Sequence, residues 1–242
     1  MTRRKMLGIY VAFFAVLLAV FYYAVFRNYD FSASSLGVIN PAVPAFSFTN
    51  QDGKTVTQQD TDDKVYVVEY FFTSCIGICP KMNANMRRVY DAYKDRKDFM
   101  ILSHTCQPEV DSVPQMKMYE RKMLNGKLVK ADDGSYAINK TADTNAVNTN
   151  WIFLTGKKDS LYKMARVGYT IDNQKPDSSQ NMADQFIHTQ FFALVDRYRR
   201  VRGVYDGLKE AEIEKLFLDI KSLLKEKVDH TRFMNGFSNA PY

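Results

Sequence analysis

An uncharged apolar run from Met6 to Phe26 constrains this 242-residue chain more than any other feature. Its 21 residues suffice to carry a helix across the ~30 Å of hydrocarbon in a bilayer. A secretory signal would have a shorter apolar region ending at a small-residue cleavage site. Here the aromatic cluster Phe21, Tyr22 and Tyr23 stands where that site would fall, and such rings suit a membrane interface. The run therefore reads as a retained anchor. Arg3, Arg4 and Lys5 precede it and Arg27 follows, which by the positive-inside rule puts the N-terminus in the cytoplasm. The rest of the chain is then expected on the non-cytoplasmic side of the cell membrane, where thiols can be oxidised.

The same four basic residues account for most of the formal charge of +6 and leave about +2 on the remainder. No basic stripe of the kind that follows a phosphate backbone is present, so nucleic acid is not an expected partner. A 46% hydrophobic content supports a real core. Three cysteines are too few for a disulfide-stapled scaffold, so any special role must come from their positions.

Beyond the anchor, residues 28–43 read as a tether interrupted by Gly37 and Pro41. "FSFTNQDGKTVT" places two alternating runs around Asp52-Gly53, a hairpin signal. "KVYVVEYFF", "DFMILSHT" and "NWIFLTG" read as buried strands. "VPQMKMYERKML" and "KKDSLYKMARVGY" read as helices, residues 125–149 as an insertion or loop, and "IDNQKPDSSQNMADQ" as a long polar loop. "FIHTQFFALVDRYRRVRGVYDG" reads as two strands turning near Arg197–Arg199. A final helix presents Leu208, Ile213, Leu216, Phe217, Ile220 and Leu224 on one face. Strands alternating with helices, then a late hairpin and helix, predict an α/β fold with a mixed central sheet.

Cys75 and Cys79 fall in "FFTSCIGICPKMNANM", where a buried strand hands over to a helix with Pro80 in its first turn. A helix N-terminus lowers a cysteine pKa. Positions i and i+4 of a helix share a face, so both sulfurs could meet one ligand or each other. Gly77 between them permits unusual backbone angles. A structural pair, a redox disulfide and a soft-metal clamp are all compatible with this stretch. Thiolates select Cu(I), zinc and iron–sulfur clusters, but two rarely complete a site. The three histidines are His104 at a strand end, His188 after the polar loop, and His230 in the C-terminal tail; spacing ranks His188 slightly above His104.

"FFTSCIGICPKMNANMRRVY" resembles the C-x-x-x-C-P signature of the Sco/SenC family of membrane-anchored copper proteins. "PEVDS" (Pro108–Ser112), "NWIFLTG" and "FIHTQFFALVDRYRRVRGVYDG" continue the resemblance in family order, over about residues 40–225. It implies a thioredoxin-like fold, with Cys75, Cys79 and His188 as copper ligands; a redox disulfide between Cys75 and Cys79 belongs to the residues' own alternative reading. It also implies a metallochaperone role, not an enzymatic one, in assembling the CuA site of cytochrome c oxidase, whose copper-bearing subunit would be the partner. The alternative is a thiol–disulfide oxidoreductase that reduces partner cysteines. The expected organisation is 1–27 lead and anchor, 28–43 tether, 44–228 copper-binding domain and 229–242 tail. Two features depart from the family pattern: Gln107 replaces an acidic residue, and Cys106 is an additional thiol that reads as a small apolar residue at a strand end.

Overall fold

The computed structural model describes residues 3–26, 36–139, 146–172 and 189–226. The chain divides into two units between residues 33 and 34. The first contains helix α1 (Arg3–Phe26), which is long and apolar enough to cross a membrane, with a mean hydropathy of 2.2 over Arg3–Tyr23.

The second unit is built on a seven-stranded mixed sheet. Its strands are β1 (Ser47–Asn50), β2 (Thr55–Thr57), β3 (Val65–Phe71), β4 (Phe99–Thr105), β7 (Trp151–Thr155), β8 (Phe191–Val195) and β9 (Val201–Asp206). The spatial order is β2-β1-β7-β4-β3-β8-β9. β3, β4 and β7 run parallel, while β1 and β8 pair antiparallel to them. Every residue of β3 and β4 is buried, as both faces of a central parallel strand are covered. The β1–β2 hairpin turns at Gly53, whose φ of 75° lies in the region that favours glycine.

Alternation along the strands divides the core in two. Val65, Val67, Phe71, Ile101 and Phe153 face helices α2 (Cys79–Tyr93), α3 (Val113–Asn125) and α5 (Glu210–Lys225). Tyr66, Val68, Tyr70, Met100, Leu102 and Leu154 face Val43, Phe46, helix α4 (Lys158–Lys163) and the π-helical turn Met164–Gly168. On α5 the buried residues are Ile213, Leu216, Ile220 and Leu223; Leu208, Phe217 and Leu224 pack partly buried beside them.

Two stretches differ from their sequence reading. Residues 125–149 contain a hairpin, β5 (Lys127–Lys130) with β6 (Tyr136–Asn139). Its strands are short and largely exposed, so the alternation that marks a half-buried strand is faint. It is held to α2 from the side: the Arg88 guanidinium sits 4.1 Å over the Tyr136 ring and bridges Glu210 and Glu214 at 2.7 and 2.8 Å. The expected tether is packed from residue 36 onward. Ile39 N donates to Val201 O (2.8 Å), Val201 N donates to Asn40 O (2.9 Å), and Val43 is buried. The stretch 229–242 lies outside the described residues.

Candidate metal centre

β3 ends at Phe71, and the chain then turns so that Cys75 N donates to Phe72 O (3.2 Å). Cys79 opens α2, with Pro80 beside it in the first turn, where its missing N–H costs nothing. Cys75 thus lies outside the helix, and the two cysteines converge through a loop rather than as an i, i+4 helical pair. Gly77 has no left-handed φ, and a Cβ there would meet nothing, so the unusual backbone expected of it is not used. Ile76, between the thiols, is 96% exposed.

Cys79 is buried at the start of α2, and Cys75 is half-buried. Burial pushes the Cys79 thiol up, and a hydrogen bond with Cys75 adds to the shift. The expected lowering by the helix N-terminus is overridden, because the desolvation of a buried thiolate exceeds the pull of one helix end. Asn83, itself buried, fixes the first turn: its Nδ2 donates to Cys79 O (2.7 Å) and to Tyr119 Oη (3.0 Å).

Around the thiols stand two carboxyls whose roles the sequence reading left unassigned. Asp111 is fully buried and accepts hydrogen bonds from Thr73 Oγ1 (2.6 Å), Thr73 N and Thr105 Oγ1. Glu69 projects from β3 into the α2–α3 core, the single acid in an apolar strand. Ser103 Oγ donates to its Oε1 (2.6 Å), and Trp151 Nε1 donates to Ser103 Oγ (2.7 Å). Burial pushes the Glu69 carboxyl up to about 8.

The other thiol and one histidine belong to the opposite face. Cys106 N donates to Phe71 O (2.8 Å), and its side chain joins the second core cluster, on the face of the sheet opposite the one against which α2 packs. Burial pushes its thiol up as well. His104 lies opposite Tyr70 in the β3–β4 ladder and stacks on that ring at 5.1 Å, with Phe48 and Tyr169 at 5.3 and 5.4 Å. Both its nitrogens are buried without a partner, and burial lowers its pKa to about 3. A neutral ring enclosed by three aromatics on the face away from Cys79 is a core residue, not a third donor for the thiol pair.

His188 lies outside the described residues, as does His230. The next residue, Thr189, is described: it is buried, and its Oγ1 donates to Ile171 O (2.8 Å). β8 runs antiparallel to β3 with Val68 opposite Ala193. The chain entering β8 at Thr189 therefore arrives at the end of β3 from which the Cys75 loop departs. Among the described residues no three His, Cys, Asp or Glu side chains are grouped to hold a metal. The thiol pair supplies two soft donors and lacks a third within that set.

The model of the SCO1/SenC family matches residues 39–225. The chain is 29% identical over 186 residues to the SCO1 protein homolog of Bacillus subtilis, covering 76% of this chain and 83% of that protein. A SCO1/SenC family lipoprotein from Bacillus anthracis has 28% identity and a TM-score of 0.59, covering 77% of this chain and 97% of the other. BsSco, a member of the Sco family of cytochrome c oxidase assembly proteins in which a disulfide switch was identified, has 27% identity and a TM-score of 0.58, covering 79% and 98%. Arabidopsis thaliana ScoI, solved with copper bound, shares the fold at 20% identity, with a TM-score of 0.52 and coverage of 76% and 100%.

Proposed function

Because the chain belongs to the SCO1/SenC family, we propose that it is a membrane-anchored metallochaperone whose cargo is copper, received and released by Cys75, Cys79 and His188. One observation carries this reading. Two thiols meet where β3 passes into α2, and the described residue next to His188 arrives at that same end of the sheet. One peptide link, which spans ~3.8 Å between Cα atoms, joins His188 to that described residue. Sulfur donors suit Cu(I), and a nitrogen donor gains weight for Cu(II). The protons on the two thiols leave as the metal arrives. A third donor on a separate segment can detach during transfer, which opens a path to ligands on the receiving protein. The receiver we propose is the copper-bearing subunit of cytochrome c oxidase, on the non-cytoplasmic side, with α1 as the anchor. The relative BsSco supports that assignment by its place among oxidase assembly proteins.

The test is titration of Cu(I) and Cu(II) into the chain in detergent micelles. Substituting Cys75 or Cys79 by Ser should abolish both forms of binding. His188→Ala should weaken Cu(II) binding strongly and Cu(I) binding less. Parent-like affinity for both states in His188→Ala would refute the three-donor site.

A second reading has its own support: the two thiols lie close enough for Cys75 to raise the Cys79 pKa, so the loop that carries Cys75 brings it toward disulfide range. The chain would then reduce partner cysteines, cycling between dithiol and disulfide. That chemistry should survive His188→Ala.

A further inference from the structure

Asp111 is the most densely bonded side chain at the site, and it touches neither cysteine by hydrogen bond. Its carboxylate is 0% exposed, and no salt bridge among the described residues includes it. Its listeners are hydroxyls and an amide. Thr73 gives its Oγ1 (2.6 Å) and its backbone N (3.2 and 3.3 Å to the two oxygens), and Thr105 gives its Oγ1. Burying a carboxylate with no cation is costly unless hydrogen bonds satisfy its oxygens, and here they come from chosen places.

Those places define a bracket. Thr73 sits inside the turn that Cys75 N closes onto Phe72 O. Thr105 is the last residue of β4, and its Oγ1 also accepts from Gln107 N (2.9 Å). Asp111 N donates to Gln107 O (2.9 Å), so the carboxylate is itself held to the stretch after β4. Cys79 needs no such help, because burial and Asn83 fix it on α2. Cys75, half-buried on a loop beside an almost fully exposed Ile76, has no comparable packing.

We propose that Asp111 is a positioning residue for Cys75, holding the Thr73 turn so that the Cys75 sulfur stays within reach of Cys79. The proposal rests on the reading that the two cysteines act as a pair. Its consequence is a raised effective concentration of one thiol for the other. In disulfide formation with glutathione disulfide, each cysteine loses a proton, the S–S bond forms, and two electrons reduce glutathione disulfide to two glutathione thiols. Free Cys75 movement opposes that equilibrium, and the bracket favours it.

The experiment uses the full chain, metal-free in micelles, equilibrated across glutathione buffers. Acid quenching, alkylation and mass spectrometry then report the Cys75–Cys79 disulfide. Asp111→Ala should lower the disulfide equilibrium constant about tenfold or more, which corresponds to about 30 mV for two electrons. Thr73→Val, which keeps the carboxylate and its bonds from Thr73 N and Thr105 Oγ1, should lower it in the same direction. The double variant should fall little further than Asp111→Ala, because both act through one contact. If folded Asp111→Ala melts earlier but keeps the parent constant within about twofold, Asp111 is structural only and the proposal fails. If Asp111→Ala does not fold, Thr73→Val decides by the same criterion. A parent chain that forms no Cys75–Cys79 disulfide at any glutathione ratio overturns the pair and the proposal with it. A parent that takes up no copper, yet whose disulfide constant responds to Asp111, sinks the copper reading and leaves this one standing.

Discussion

Replacing Glu69 with Gln should remove a pH dependence of stability that the parent carries. Unfolded, the carboxyl ionises above its ordinary 4.5; folded, burial keeps its proton up to about 8. Between those values the native state binds the extra proton, so stability falls as pH rises and levels off above the folded pKa. At about 1.4 kcal/mol per unit, the loss attributable to Glu69 between about pH 5 and about pH 7.5 is about 3 kcal/mol. Gln keeps an oxygen for the Ser103 hydroxyl and cannot ionise, but its amide hydrogens replace an oxygen that has no partner. Those unmet donors cost about 1–3 kcal/mol at every pH, so Glu69→Gln should be the weaker protein at low pH and gain on the parent as pH rises. The assay is urea unfolding of the unit that begins at residue 34, followed by the fluorescence of Trp151, which is fully buried in this core. Other titrating groups are shared by both proteins, so the difference between them isolates this one carboxyl. A difference in unfolding free energy that stays constant from about pH 5 to about pH 7.5 would refute the buried, protonated Glu69.

His104 predicts the opposite limb: its folded pKa of about 3 lies below the ordinary 6.5, so stability is lost as pH falls from 6.5 toward 3, and His104→Gln should flatten that acid limb in the same urea titration. Cys106→Ala should leave copper stoichiometry unchanged and cost about 1 kcal/mol or more of stability for the lost packing; metal loss equal to that of Cys75→Ser would show that Cys106 was assigned to the wrong role. A C-terminal reporter active only in the cytoplasm should stay silent, and cytoplasmic activity, or a mature N-terminus beyond Phe26, would overturn the retained anchor and its orientation.

Strand periodicity made most of the sheet legible. β3, β4 and β7 stand out as apolar runs, and the turn between β8 and β9 falls where the arginines cluster. The β5–β6 hairpin escaped because its partner is the flank of α2, so neither strand carries a full apolar face. At the site, the thiol pair was legible from its setting, but its electrostatics was not: Cys79 is buried, and Tyr119 of α3, well downstream, is bonded to Asn83 of its helix turn. His104 could have been judged by parity. It shares the alternation of Leu102 and Cys106 along β4, which puts all three on the face away from Cys79. Asp111 was visible as part of "PEVDS", yet nothing local connects it to Thr73, 38 positions earlier.

The pairing of β3 with β8 joins Tyr66–Val68 to Ala193–Val195, more than a hundred positions further along the chain. Long-range pairing of this kind is slow, because the loop must close before any contact rewards it. A chain made from its N-terminus exposes Cys75, Cys79 and Cys106 to solvent well before β8 exists to complete the sheet. During that interval the three thiols are chemically equivalent competitors, and any two can join. Folding narrows the competition by burying Cys106 in the core cluster on the face of the sheet away from α2, the helix that begins at Cys79. An oxidant that acts before closure can trap a pair that includes Cys106, whereas one that acts afterwards finds Cys106 buried and Cys75 half-buried next to Cys79. The timing of oxidation relative to folding is therefore part of making this protein.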